Sequence, residues 1–168
     1  MAINQHTVFS NVFTVFYNLL NTNVVDPSSR GKQWIYSSFP EEDISNDKVK
    51  YPIIIIEPAN MSWEQFTQTK SWNMIDLTIE AYSKMMDQAD SLLGQINSTL
   101  DHFKWDLKVD EKIDFLNLTA TDTDFTLRGG TRAHIRSATY NMRNAFRSGL
   151  AKLSRFNTIN SNGQIAAA

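Results

Sequence analysis

YPIIIIEP at 51–58, ANMSWEQFTQT at 59–69 and KSWNMIDLTIEAY at 70–82 form the stretch whose reading decides the fold. Ile53 to Ile56, held between Pro52 and Pro58, make a β-branched run too short for a helix and too apolar to face water on either side. They predict a central strand buried on both faces. The segment from Ala59 to Thr69 reads as a polar bend. Beyond it the pattern alternates, with Ile75, Leu77, Ile79 and Ala81 on one face and Met74, Asp76, Thr78 and Glu80 on the other. That is the period of a half-exposed strand, expected to pair antiparallel with the first. Met61, Trp63 and Phe66 fall in the bend, where a tryptophan or phenylalanine is either a cover over the core or an interface anchor.

Upstream, Val8, Phe9, Val12, Phe13, Phe16, Leu19 and Leu20 give a broad apolar stripe and predict a core helix over about Asn4 to Asn21. Residues 22–50 are polar and broken, with turn chemistry in DPSSRG at 26–31 and a short strand in QWIYS at 33–37. Glu41, Glu42, Asp43 and Asp47 form an acidic run, ordinarily a solvated loop and alternatively a partner contact. Downstream, Ser83 is a helix cap candidate. Ala89, Leu92, Leu93, Ile96, Leu100 and Phe103 then line one face of a helix starting at Met85 or Asp87 and ending at Phe103. A charged connection follows over 104–112. A long hairpin comes next, its first strand opening at Ile113 and its return strand running from Thr131 to Phe146 around Gly129-Gly130. The return strand sends Arg132, His134 and Arg136 to one side.

The fold class expected is therefore α+β. It has a mostly antiparallel sheet of about four to five strands, two main helices packed on one face, and the order αβββαββ. The 168 residues fit one domain over 1–147, followed by a tail at 148–168 that docks on a neighbour or stays flexible. The chain has no cysteine, which excludes a disulfide framework and thiolate zinc and suits a protein assembled inside a cell. Neither a signal peptide nor an apolar run of the roughly 20 residues needed for a membrane span is evident. A soluble protein with no membrane partner is expected.

Charge is close to balanced overall, at −2, but uneven along the chain. All 18 acids lie at or before Asp124, whereas Arg128, Arg132, Arg136, Arg143, Arg147, Lys152 and Arg155 follow it with no acid among them. Two readings stand side by side. In one, the late arginines fold back and pair with acids of the same subunit. In the other they meet the acidic face of another copy, or nucleic acid.

No arrangement of residues suggests catalysis. His6, His102 and His134 stand apart, and the Asp122–Asp124 pair lacks the glycine and glutamate that complete a calcium loop. Gly129-Gly130 joins strand to strand and is no phosphate cradle. The expectation is a non-enzyme with no cofactor and no metal.

The αβββαββ order, the PIIIIEP strand, the IEAYSKMMDQADSLLGQI strand-to-helix junction at 79–96 and the arginine-rich final strand together resemble the tail terminator and tail-completion proteins of long-tailed bacteriophages. The likeness covers roughly Val8 to Phe146. It implies a virion structural protein, assembled in the host cytoplasm, that forms a ring, commonly a hexamer, at the top of the tail or in the neck. The ring caps the tail tube protein and meets head-completion or neck proteins, and DNA passes through its lumen without sequence-specific binding. Contact residues expected on this view are Arg128, Arg132, Arg136, Arg143, Arg147, Trp63, Phe66, Glu41, Glu42 and Asp43. The chain departs from the pattern in its acidic insertion at 26–50 and its basic tail after Arg147. Two alternatives accompany this reading: a nucleic-acid-binding module using the arginine-rich strand with Phe125, Tyr140 and Phe146, and another neck, connector or baseplate subunit.

Overall fold

The computed structural model describes residues 8–30, 33–46, 48–67, 70–128 and 131–147. Side chains are described at all of these except 63, 65–67, 70, 71, 115, 127, 128, 131 and 145–147. The Gly129-Gly130 turn and the expected tail at 148–168 lie outside the described residues.

Among the described residues nine elements follow one another: α1 (Val8–Asn23), β1 (Ile35–Tyr36), α2 (Glu41–Ser45), β2 (Ile53–Thr67), β3 (Lys70–Ser83), α3 (Met86–His102), α4 (Lys104–Asp110), β4 (Ile113–Arg128) and β5 (Thr131–Arg147). The five strands form one sheet in the order β1-β2-β3-β5-β4. β1 runs parallel to β2 and every other pairing is antiparallel. The fold is α+β, as the periodicities implied.

The isoleucine run explains the layering. Ile54 and Ile56 point into a core shared with Val12, Phe16 and Leu20 of α1 and Leu92, Ile96 and Leu100 of α3. Ile53 and Ile55 point the other way, into a second cluster with Ile44 of α2, Tyr82, Ala133 and Ile135. All four isoleucines are at most 2 % exposed. At about 1.5–3 kcal/mol for each buried aliphatic side chain, this one strand holds helices to both faces. β3 alternates as expected, with Ile75, Leu77 and Ile79 fully buried in the first core.

Four expectations give way. The bend at 59–69 is strand: β2 continues to Thr67 and pairs with β3 throughout, apart from register shifts between Ala59 and Met61 and between Gln65 and Thr67. Asn60, at φ 43°, occupies the first of these bulges, and Met61 returns to the core side. Pro58 is tolerated because β1 accompanies β2 only at Ile54 and Ile55, so that β2 is an edge strand beyond them. Glu41, Glu42 and Asp43 of the acidic run stand not in a loop but in the helix α2, anchored by Ile44, and Asp47 lies outside the described residues. The charged connection at 104–112 contains α4, anchored by Leu107. Ser83 does not sit at the helix cap position, which is Met85; its Oγ accepts the Met85 N–H at 3.2 Å.

Candidate assembly interface

The alternation of β5 assigns its arginines to faces. Arg132, His134 and Arg136 share the face that carries α1 and α3 with Ala138, Tyr140 and Met142, and Arg143 faces the opposite side. Their partners differ, and the difference decides what each can do.

Arg136 lies under α3. Its Nε donates to Asp90 Oδ1, and its Nη2 to Asp90 Oδ2 at 3.3 Å. The hydrogen bonds from Arg136 hold the Asp90 carboxyl below the usual carboxylate range and raise the guanidinium in turn. Arg143 donates to Asp114 Oδ2 at 2.8 Å, and Lys108 Nζ stands 3.4 Å from the other oxygen of the same carboxylate. Asp114 is accordingly held low, first by the bond from Arg143. The Arg143 guanidinium also lies over the Trp72 ring, 4.4 Å from its centroid. Both arginines were expected to meet a neighbour. Each instead meets a carboxylate of its own chain, the fold-back pairing that the charge distribution left open.

Arg132 is different. It is exposed near the end of the β4–β5 hairpin, beyond the last residue of β3 that pairs with β5, and its guanidinium stacks 4.9 Å from the centroid of Phe125. It has no carboxylate partner among the described residues. Phe125 is 60 % exposed, with the Arg132 guanidinium over its ring. The side chains of Arg128, Arg147, Trp63 and Phe66 lie outside the described residues, so their expected contacts are not placed.

On the opposite face, at the same end of the sheet, sits α2. Ile44 shares a buried cluster with Ile53, Ile55, Tyr82, Ala133 and Ile135, which seats the short helix on this face of the sheet. Glu41 and Glu42 are exposed in its first turn, where carboxylates suit the positive end of the helix dipole. Asp43 is partly engaged, 3.6 Å from Lys48. Glu41 and Glu42 and the exposed Arg132 therefore occupy opposite faces of one sheet end.

Past Ile55 the α2 side is mixed: Glu57 is exposed, Asp76, Thr78, Thr139 and Asn141 are half-buried, with Asn141 donating to Asp76 at 3.0 Å, and half-buried Met74 and Trp72 continue the same face. Sequence reading missed a clamp that shapes this end. Arg30 donates to both oxygens of Asp26, at 3.1 and 3.0 Å, and also to the carbonyls of Lys50 and Pro52. Burial alone would raise the Asp26 carboxyl, but the Arg30 and backbone hydrogen bonds outweigh it and hold the group low. The Asp-Pro turn signal was legible; the 20-residue reach of its arginine to the start of β2 was not.

Among the described residues no group of three His, Asp or Glu side chains is arranged to hold a metal ion, and no helix is long and apolar enough to cross a membrane. No protein-family model and no curated protein matches this chain.

Proposed function

We propose that this chain is a structural subunit of a tailed-bacteriophage particle, a ring-forming tail terminator that caps the tail tube and joins it to the head or neck. Support comes from the α+β order that the resemblance rests on. It comes above all from one observation: exposed Arg132 with Phe125 on one face of the sheet end, and exposed Glu41 and Glu42 on the other. A ring needs a head-to-tail contact in which one surface of each copy meets a different surface of the next. Opposite charges on opposite faces of one sheet satisfy that requirement front to back, and like-charge opposition disfavours the reversed register. In this reading the subunit has no catalytic role, its partners are further copies, the tube protein and neck proteins, and it resides in the virion.

The test is electron microscopy and solution mass of the purified chain, alone and mixed with its tube protein. Ring-sized particles are expected for the unaltered chain. Arg132→Glu, or Glu41→Lys with Glu42→Lys, should abolish them, and all three changes together should restore them. A monomer at every concentration, with no joining to tubes, overturns the proposal. The same Arg132 and Phe125 pair favours a second reading, nucleic-acid binding through stacking and phosphate contact. Affinity for single-stranded DNA falling steeply with added salt would select it. Against it, Arg136 and Arg143 are already held by Asp90 and Asp114.

A further inference from the structure

We infer that Asp122 and Asp124 guard the outer edge of β4 and so keep that strand from pairing with the β4 of a second copy. β4 ends the sheet, and among the described residues no strand lies beyond it. Residues 117–125 are all exposed, and the register with β5 is unbroken from Ala120 to Arg128, with neither a proline nor a bulge. An open, regular strand rich in threonine is a template for another strand. The opposite edge of the sheet is protected by backbone: β2 past Ile55 carries Pro58, which has no N–H, and two register shifts. β4 has no such feature along 120–128.

Its protection comes from side chains. Thr139 turns its carbonyl toward β4, where Thr119 Oγ1 donates to it at 2.9 Å. Alternate residues of a strand present their N–H and C=O to opposite sides, so Ser137 and Ile135 also face β4 and exchange ladder bonds with their register partners Asp122 and Asp124. Thr123 and Phe125 therefore turn their N–H groups to the open edge. Both amides are taken: Thr123 N–H donates to Asp122 Oδ1 and Phe125 N–H to Asp124 Oδ1, each at 2.7 Å. Each carboxylate occupies the donor that an incoming strand would use. A charge-assisted bond of this kind is roughly twice as strong as the one a strand carbonyl would offer in its place.

The strand excluded is β4 of a second copy, because two such edges suit each other in all but these acids. In an antiparallel pair, opposed residues share a face. Thr121, Thr123 and Phe125 lie on one face of β4 and would oppose the same set across a two-fold axis, threonine to threonine or threonine to ring, pairs that favour a sheet. Asp122 and Asp124 lie on the other face. Registers centred on residue 122, 123 or 124 set aspartate directly against aspartate, and like charges so placed destabilise the pair. Residues 113–127 contain no lysine or arginine to offset them. The inference does not rest on the ring: it concerns the edge of the sheet, not the faces that carry Arg132 and Glu41.

The test compares three full chains, each also carrying Glu41→Lys and Glu42→Lys so that ring contacts do not contribute: the parent, Asp122→Asn with Asp124→Asn, and Asp122→Val with Asp124→Val. Asparagine keeps an oxygen for the amide and removes the charge, whereas valine removes both and suits a strand. Amide exchange at Thr121, Thr123 and Phe125 is followed over a hundredfold range of concentration, with solution mass alongside. In the parent, exchange at these amides should not depend on concentration. In the valine pair it should slow at least roughly tenfold at the top of the range, with the mass of a dimer, and in the asparagine pair by a smaller factor. Concentration-independent exchange in the valine pair, with circular dichroism showing the fold intact, overturns the inference. Concentration-dependent protection of the same amides in the parent overturns it too. The asparagine pair is nearly isosteric and decides alone if the valine pair misfolds: dimerisation through β4 supports the guard, and its absence overturns it.

Discussion

Asn144 does more than its size implies. It sits opposite Asn73 in the β3–β5 register, fully within the sheet, and its amide is the donor for two carbonyls where α4 turns into β4. Asn144→Asp keeps the shape but faces those carbonyls with an anion. The expected loss is about 3 kcal/mol near neutral pH, since a buried charge without a donor costs more than a neutral unsatisfied group. The deficit should shrink in acid, where the new carboxyl is neutral, and urea melts at two pH values check both points. Asp114 gives the opposite sign. Its folded pKa is depressed, first by Arg143, so it stabilises the protein above its unfolded pKa of about 3.9, and that contribution is lost as pH falls through the lower folded value. Asp114→Asn should therefore flatten the fall of the urea midpoint across that acidic window; an unchanged slope would mean that the pair adds no net stability.

At the scale of elements, what was legible tracks how many positions carry the signal. The isoleucine run, the α1 stripe, the β3 alternation and the α3 stripe each repeat a period several times; the strands appear as read, while Phe9 of the α1 stripe is 41 % exposed and Phe103 of the α3 stripe lies just past its helix. α2 and α4 do not repeat anything: each has one buried residue, Ile44 and Leu107, among charged neighbours, so nothing distinguishes them from loops. The strand through Ala59 to Thr67 was hidden by Pro58 and by a bulge whose cost depends on β2 being an edge there, which only the sheet order reveals. Dependence on a single anchor makes α2 easy to detach. Ile44→Ala should cost about 2–4 kcal/mol, as other large-to-small core changes do, with faster amide exchange confined to residues 41–45 and the strands beneath. Loss of the same size spread over the whole sheet would mean that α2 is integral to the fold and not a cover held by one side chain.

For the whole molecule, the separation of acids from late arginines was plain in the sequence, but their pairing was not. Arg136 reaches back 46 residues to Asp90 and Arg143 reaches back 29 to Asp114, distances that no local pattern encodes. The pairing divides the described arginine side chains of β5 into two kinds with different consequences. Arg136 and Arg143 tie the strand to α3 and to the start of β4, so Arg136→Gln and Arg143→Gln should each lower the urea midpoint while leaving solution mass unchanged. Arg132, tied among the described residues to the Phe125 ring alone, should behave in reverse. Arg132→Glu is expected to leave the midpoint where it was, because exposed surface substitutions seldom move stability beyond about 0.5 kcal/mol, and to remove the ring-sized species. Urea melts and sedimentation on the same three variants read both quantities. If all three change mass alike, or Arg132 alone changes stability, the division drawn from the ion pairs is wrong and the assembly surface lies elsewhere on the chain.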